Sequence, residues 1–122
     1  MTIENPYSLE GKVVLVTGAG SGIGRATSIE CSKLGATMVL VDINPDTVQE
    51  TFGMLANQEL CHQSFVCDLT NDEALDELVS NVPVLTGLVN NAGINKLLPP
   101  KFINREDVSK IFNINTFAPI FL

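Results

Sequence analysis

Apolar runs alternating with stretches of helical spacing set the plan of this chain. The first run, residues 12–17, contains the unbroken Val13, Val14, Leu15 and Val16. A β-branched run without polar alternation predicts a strand covered on both faces, the position of a central parallel strand. A helix is expected over residues 22–34, with Ile23, Ala26, Thr27 and residues 29–34 as its inward stripe and Gly35 as its stop. Residues 36–41 predict a second apolar strand, ending at Asp42.

Asn44 followed by Pro45 is an N-cap and a first helical position, opening a helix to about residue 57 with Val48, Phe52 and Leu55 at helical spacing. Residues 63–67 predict a third strand. Thr70 and Glu73 form a capping-box pattern ahead of Ala74, Leu75, Leu78 and Val79, so a short helix is expected to about residue 80. Residues 85–90 predict the fourth strand. A loop over residues 91–103, with Pro99 and Pro100, leads to a last helix N-capped by Asn104 and running into the chain end.

Strands alternating with helices at this short interval imply right-handed βαβ crossovers, hence an α/β fold with one doubly wound parallel sheet of four strands. At 122 residues the chain fits a single domain, residues 1–122, and no repeat, linker or low-complexity tract divides it. Hydrophobic residues make up 45% and charged residues 17%, a balance that suits a folded α/β domain rather than a disordered one.

The formal net charge of −7 offers no electrostatic footprint for nucleic acid or for an anionic membrane surface, so neither is expected as a partner. The first ten residues lack a basic region and an apolar stretch, and the longest apolar runs are far too short to span a bilayer. Three cysteines, Cys31, Cys61 and Cys67, are an odd number without metal-ligand spacing. Reduced thiols, a cytoplasmic location and no metal site are expected. His62, the one histidine, has no ligand pattern around it and is expected on a strand surface.

The segment from Thr17 to Gly24, Thr-Gly-Ala-Gly-Ser-Gly-Ile-Gly, falls between the first strand and the first helix. There the amides of a helix N-terminus face a pyrophosphate, and a Cβ would block the approach. Gly18, Gly20, Ser21, Gly22, Ile23 and Gly24 are therefore candidate cofactor contacts. Arg25 is the one base nearby, so phosphate binding would rest mainly on backbone N–H groups and roughly half a unit of helix-dipole charge. A glycine-rich turn that merely packs a helix on a strand is the competing explanation.

Asp42 shifts that balance. At the end of the second strand a carboxylate can accept hydrogen bonds from both hydroxyls of an adenosine ribose. A 2′-phosphate there would meet a repulsion of a few kcal/mol at an effective dielectric near ~20. Neither Ile43, itself a candidate contact, nor Asn44, Pro45 or Ser21 supplies a compensating cation, so NAD(H) is expected over NADP(H).

The glycine loop, Asp42, the pair Asp68-Leu69 after the third strand and Asn90-Asn91-Ala92-Gly93 after the fourth together resemble the short-chain dehydrogenase/reductase family, over the whole chain. The resemblance implies an NAD(P)-binding Rossmann fold, of which this chain is the amino-terminal half, incomplete at its carboxyl end. It places Gly18, Gly22 and Gly24 along the pyrophosphate, Asp42 on the adenosine ribose, Asp68 and Leu69 against the adenine, and Asn90, Ala92 and Gly93 beside the cofactor's ribose region. Asn91 has a second reading, as a side chain that ties neighbouring strands together.

In the last helix Val108, Ile111, Phe112 and Asn115 share one face, so Asn115 interrupts an apolar stripe. Pro119 has no N–H with which to bond the carbonyl of Asn115. The family resemblance implies that this carbonyl holds a water in a proton relay, which makes Asn115 the candidate catalytic residue. A proline that simply ends the helix is the other explanation.

The family also uses a Ser and a Tyr with a Lys four residues later. The one tyrosine, Tyr7, precedes the first strand and has Gly11 four positions on, so it does not fit. The expected function is that of an NAD(H)-dependent oxidoreductase moving hydride between nicotinamide and a small-molecule carbonyl or alcohol, active only with the missing half. A non-catalytic dinucleotide-binding or assembly module is the alternative. The resemblance further implies a homo-oligomer paired through the apolar last helix, and an exposed sheet edge and apolar tail in the 122-residue chain alone.

Overall fold

The computed structural model describes residues 4–95 and 97–122. The reading of the chain start rests partly on residues 1–3, which lie outside the described residues, as does Lys96 in the loop that follows the fourth strand.

Four strands, β1 (Val13–Thr17), β2 (Thr37–Asp42), β3 (Gln63–Val66) and β4 (Gly87–Val89), form one sheet in the order β3-β2-β1-β4, with every pairing parallel. Helices α1 (Gly22–Lys33), α2 (Pro45–Met54) and α3 (Asp72–Asn81) connect them, and α4 (Arg105–Phe112), a π-helical stretch (Asn113–Phe117) and α5 (Ala118–Phe121) follow. This is the doubly wound parallel sheet that the apolar pattern predicts.

Alternation along β1 explains why its run is apolar throughout. Val14 and Val16 face one side with Met38, Leu40, Val48 and Leu55, where Cys31 of α1 and Phe52 of α2 close the layer. Leu15 faces the other side with Val39, Val41 and the α3 residues Leu75 and Leu78. Leu15 sits opposite Val39 on one flank and Leu88 on the other. At about 25 cal/mol per Å² of apolar surface removed from water, burial on both faces makes β1 and its neighbour β2 the apolar centre of the sheet.

The chain steps outward from β1 through β2 to β3, then returns to lay β4 on the opposite flank of β1. The strand order therefore reverses between β1 and β4, the place where ligands of open α/β sheets bind at the carboxyl ends of the strands.

Several local expectations need correction. The inward face of α1 is not the apolar stripe: Ile23 is 76% exposed, and the buried positions are Gly24, Ser28 and Ser32. Small residues let the helix lie close to the sheet, and their hydroxyls are satisfied locally. Ser28 Oγ donates to the Gly24 carbonyl at 2.7 Å, and Ser32 Oγ to that of Ile29 at 2.6 Å. Asn44 caps α2 as expected, accepting from the amides of Asp46 and Thr47, but α2 ends at Met54, and Thr51 joins Val48 on its buried face.

The cap of α3 is Asn71, whose side chain accepts from Ala74 N at 2.9 Å. Thr70 instead turns its hydroxyl to Asp68 Oδ1, to which it donates at 2.6 Å. Asn104 caps α4 in a reciprocal box with Asp107.

His62 does not lie on a strand surface. It is buried, accepting at Nδ1 from Met38 N and meeting the Ala56 carbonyl at Nε2, both at 2.9 Å. With Nδ1 accepting, the other ring nitrogen faces the Ala56 carbonyl, so the imidazole splices the entry of β2 to the segment after α2.

Among the described residues no helix is long and apolar enough to cross a membrane. β4 is paired on one flank only, and Phe112, Ile120 and Phe121 are exposed beyond it.

Candidate functional site

The crevice at the carboxyl ends of the strands is an open cleft of about 250 Å³. Val41, Asp42 and Ile43 line it from the end of β2, Cys67, Asp68 and Leu69 from the end of β3, and Gly18, Ala92 and Gly93 from the ends of β1 and β4. Each group comes from a strand end, so the parallel sheet assembles residues that the sequence scatters from Gly18 to Gly93.

Local backbone requirements explain the glycine loop position by position. Gly18 and Gly22 have φ of +65° and +52°, conformations that an L side chain adopts only with strain. A Cβ on Gly22 would meet nothing within 4 Å, so this residue faces open space. Gly20 and Gly24 turn the other way. A Cβ on Gly24 would strike the Gly18 carbonyl, and one on Gly20 would strike Thr47 Oγ1 and the Asp42 carboxylate. Two glycines thus serve close packing, as the competing explanation held, and two serve the loop's turn.

The amides of Gly22, Ile23 and Gly24 open the twelve-residue α1 and have no hydrogen-bond partner among the described residues; Ser21 supplies no side-chain cap. They are the free donors of a helix N-terminus, where the dipole favours an anion. Arg25 is not available to that anion. Its Nη2 donates to the carbonyls of Gly20 at 2.7 Å and Thr47 at 3.3 Å and pairs with Glu50 at 3.0 Å, while Nε donates to Thr51 Oγ1 at 2.9 Å.

Asp42 Oδ2 accepts from Gly20 N at 2.8 Å and Oδ1 from Asn44 N at 3.0 Å. These bonds aim the carboxylate at the cleft and leave lone pairs on both oxygens. No lysine or arginine lines the cleft among the described residues. Across it, hydrogen bonds from the Thr70 hydroxyl and amide hold the Asp68 carboxyl below its ordinary range, with Lys110 adding to the effect. Burial pushes the Cys67 thiol up, reinforced by Asp68 and Glu77, so this sulfur is kept protonated.

Asn91 does tie strands together. Its Nδ2 donates to the carbonyls of Thr17 and Gly18 at 3.1 and 3.3 Å, joining the ends of β4 and β1. It also lines the cleft. Thr17 Oγ1 completes the joint by accepting from the amides of Asn91 and Ala92, both at 3.0 Å.

Of the expected contacts, Gly18, Ser21, Asp42, Ile43, Asp68, Leu69, Ala92 and Gly93 line the cleft. Gly20, Gly22, Ile23, Gly24 and Asn90 are not among the lining residues. Val41, Cys67, Ile94 and Ile114 line it without having been expected; each adjoins a motif residue, which is the one signal that could have found them.

Asn115 reaches the same region through its side chain. Its Nδ2 donates to the Ile94 carbonyl and its Oδ1 accepts from Ile94 N, each at 2.8 Å. The backbone around it is π-helical, ending just before Pro119, which can donate neither an α-type bond to Asn115 nor a π-type bond to Ile114. Tyr7 is exposed and is not part of the cleft.

The family model described as short chain dehydrogenase matches residues 12–122. The chain belongs to the short-chain dehydrogenase family. It is 30% identical over 119 residues to D-threitol dehydrogenase of Mycolicibacterium smegmatis, covering 94% of this chain and 46% of that protein. Among solved structures, a citronellol catabolism dehydrogenase of Pseudomonas aeruginosa superposes with a TM-score of 0.84 at 31% identity, over 98% of this chain and 51% of the other.

A Beutenbergia cavernae protein described as an NAD(P)-dependent gluconate 5-dehydrogenase, solved with NADP bound at low occupancy, gives 0.86 at 30% identity, over 97% of this chain and 48% of the other. This short-chain dehydrogenase chain spans about half the length of the curated relatives it matches, 46% for the threitol enzyme.

The residues present suit the nicotinamide dinucleotides that the family binds. A carboxylate suits the ribose diol, unpaired helix-end amides suit a pyrophosphate, and the apolar sides of Val41, Leu69 and Ile94 suit a flat ring.

Proposed function

We propose that this chain is the dinucleotide-binding half of an NAD(H)-dependent oxidoreductase acting on a small-molecule carbonyl or alcohol. The observation that carries the reading is Asp42, whose carboxylate lines the cleft with both oxygens oriented by backbone amides, and among the described residues no lysine or arginine lines that cleft. A ribose bearing two hydroxyls satisfies that carboxylate, whereas a 2′-phosphate sets charge against it. The amides of Gly22, Ile23 and Gly24 would hold the pyrophosphate, and Asp68 and Leu69 would border the adenine.

When bound, the cofactor supplies the hydride chemistry. This chain's contribution is to hold and orient it. Asn115, pinned to Ile94 by its side chain, is the one member of the family's catalytic set among these residues, and its carbonyl is the proposed water site. The Ser and Tyr-x-x-x-Lys of that set are not among the 122 residues, so turnover requires a protein that supplies them. Three free cysteines suit a reducing compartment such as the cytoplasm. The exposed apolar residues of α4 and α5 suit pairing with a second copy, to be checked by sedimentation.

Calorimetric titration with NAD and NADP tests the central reading. NAD binding at least about tenfold tighter than NADP is expected from the charge repulsion. Equal affinities overturn the preference, and binding of neither overturns the cofactor assignment.

A further inference from the structure

The peptide linking Ala19 to Gly20 is gripped at both ends. Its carbonyl accepts from Thr51 Oγ1 at 2.8 Å, and its N–H donates to Asp42 Oδ2 at 2.8 Å. The next carbonyl, that of Gly20, accepts from Arg25 Nη2 at 2.7 Å, and Arg25 Nε in turn donates to Thr51 Oγ1 at 2.9 Å. Glu50 pairs with the same guanidinium at 3.0 Å. Thr51 is fully buried, in a helix that contributes nothing to the cleft lining. The ribose carboxylate is thus connected through one peptide to a hydroxyl and a guanidinium on the far side of the loop.

We propose that Thr51 and Arg25 are positioning residues that fix the Ala19–Gly20 peptide, and through it the Asp42 carboxylate, so that preference for the cofactor without a 2′-phosphate depends on two residues that touch neither cofactor nor substrate. This rests on the assignment of the cleft to a dinucleotide. The physical basis is that a carboxylate accepting from a fixed amide has one orientation, whereas the same amide on a loose peptide leaves it several. Arg25 acts through its bonds rather than as a free charge, because Glu50 neutralises it.

The placement also separates this role from general support of the fold. If the two residues only held α1 and α2 together, their loss would weaken both cofactors by one factor. If they aim Asp42, the loss falls on the cofactor that uses the carboxylate and spares the one that it repels.

The test uses Thr51→Val, which removes the hydroxyl at nearly constant volume and charge, Thr51→Ser, which keeps it, and Arg25→Met, made in the full chain. NAD and NADP affinities are measured by calorimetry, with amide hydrogen exchange at Ala19 and Gly20 measured without cofactor. Thr51→Val and Arg25→Met are expected to weaken NAD binding about tenfold, one hydrogen bond's worth. NADP should change less than twofold and exchange at Gly20 should speed up, while Thr51→Ser should behave as the parent does.

Equal weakening of both cofactors, or unchanged exchange at Gly20, overturns the proposal. A parent that binds neither dinucleotide defeats the cofactor assignment, and with it the selectivity claim. If Asp42→Ala abolishes the NAD preference but Thr51→Val and Arg25→Met leave it intact, the assignment stands and the positioning role falls. Should Thr51→Val fail to fold, Arg25→Met decides the matter by the same readouts.

Discussion

Asn115 and Ile94, twenty-one positions apart, are joined by two hydrogen bonds of 2.8 Å in which the side-chain amide both donates to and accepts from one residue's backbone. The last helix is thereby tied to the loop after β4, and Ile94 is held as part of the cleft. Asn115 Oδ1 also lies 3.2 Å from where a Cβ on Gly93 would stand, so the loop passes close against it. Replacing Asn115 with Leu removes both bonds while keeping the branching of the side chain. Water can reach these atoms, so a loss of about 1 kcal/mol is expected, read as a lower denaturant midpoint at constant slope. An unchanged midpoint would show that the tie contributes nothing to stability.

Gly22 and Gly24, two positions apart, should respond very differently to alanine. At Gly24 the new methyl strikes the Gly18 carbonyl and Asn91, groups that cannot move without separating β1 from β4. A loss of about 3 kcal/mol follows from such overpacking. At Gly22 the methyl meets nothing, and only the positive φ is strained, costing about 1–2 kcal/mol. Thermal melts of the two variants check the ranking, and the reverse order would contradict the packing assignment.

The same contrast shows what could be learned from the residues alone. β1, β2 and the start of α2 rest on local signals, an unbroken apolar run or an Asn-Pro cap, and each forms about where the pattern puts it. The buried face of α1 was not legible, because Gly24, Ser28 and Ser32 are chosen for size and hydroxyl geometry rather than hydrophobicity. The cap of α3 is Asn71 rather than Thr70, whose hydroxyl is turned to Asp68. Two adjacent residues both have cap chemistry there, and spacing cannot rank them.

In the cleft, the motif residues announced their own positions, yet what holds them did not. The partners of Asp42 and Arg25 lie on a different connection, twenty-two to twenty-six positions away for Gly20 and Thr51. A resemblance names such residues one at a time, whereas their coupling appears only when the sheet brings the loops together.

Asp68 should show its bonds in its titration. The Thr70 hydroxyl and amide stabilise the charged carboxylate, which lowers its pKa in the folded protein. A depressed folded value contributes stability above the unfolded value near ~3.9, and that contribution is lost as pH falls through the folded value. Thr70→Val removes the hydroxyl bond, so the Asp68 carboxyl carbon should titrate at higher pH by NMR. The stability gap between variant and parent should be present at neutral pH and close in acid. A titration unchanged by the substitution would mean that the hydroxyl bond is not made in solution.

His62 offers the sharpest test of the buried fold, because both ring nitrogens are committed to backbone groups of different elements. Phenylalanine keeps a planar ring but leaves Met38 N–H and the Ala56 carbonyl without partners. Burying two orphaned backbone groups costs more than the added apolar contact returns, so His62→Phe should destabilise by about 2–3 kcal/mol in urea. Glutamine can in principle accept from one group and donate to the other, at a cost in side-chain entropy, so His62→Gln should fall between the parent and His62→Phe. Amide exchange at Met38 gives the local readout: it should accelerate in His62→Phe beyond what global unfolding accounts for. Protection at Met38 that persists in that variant would mean the imidazole is not the acceptor that closes the entry of β2.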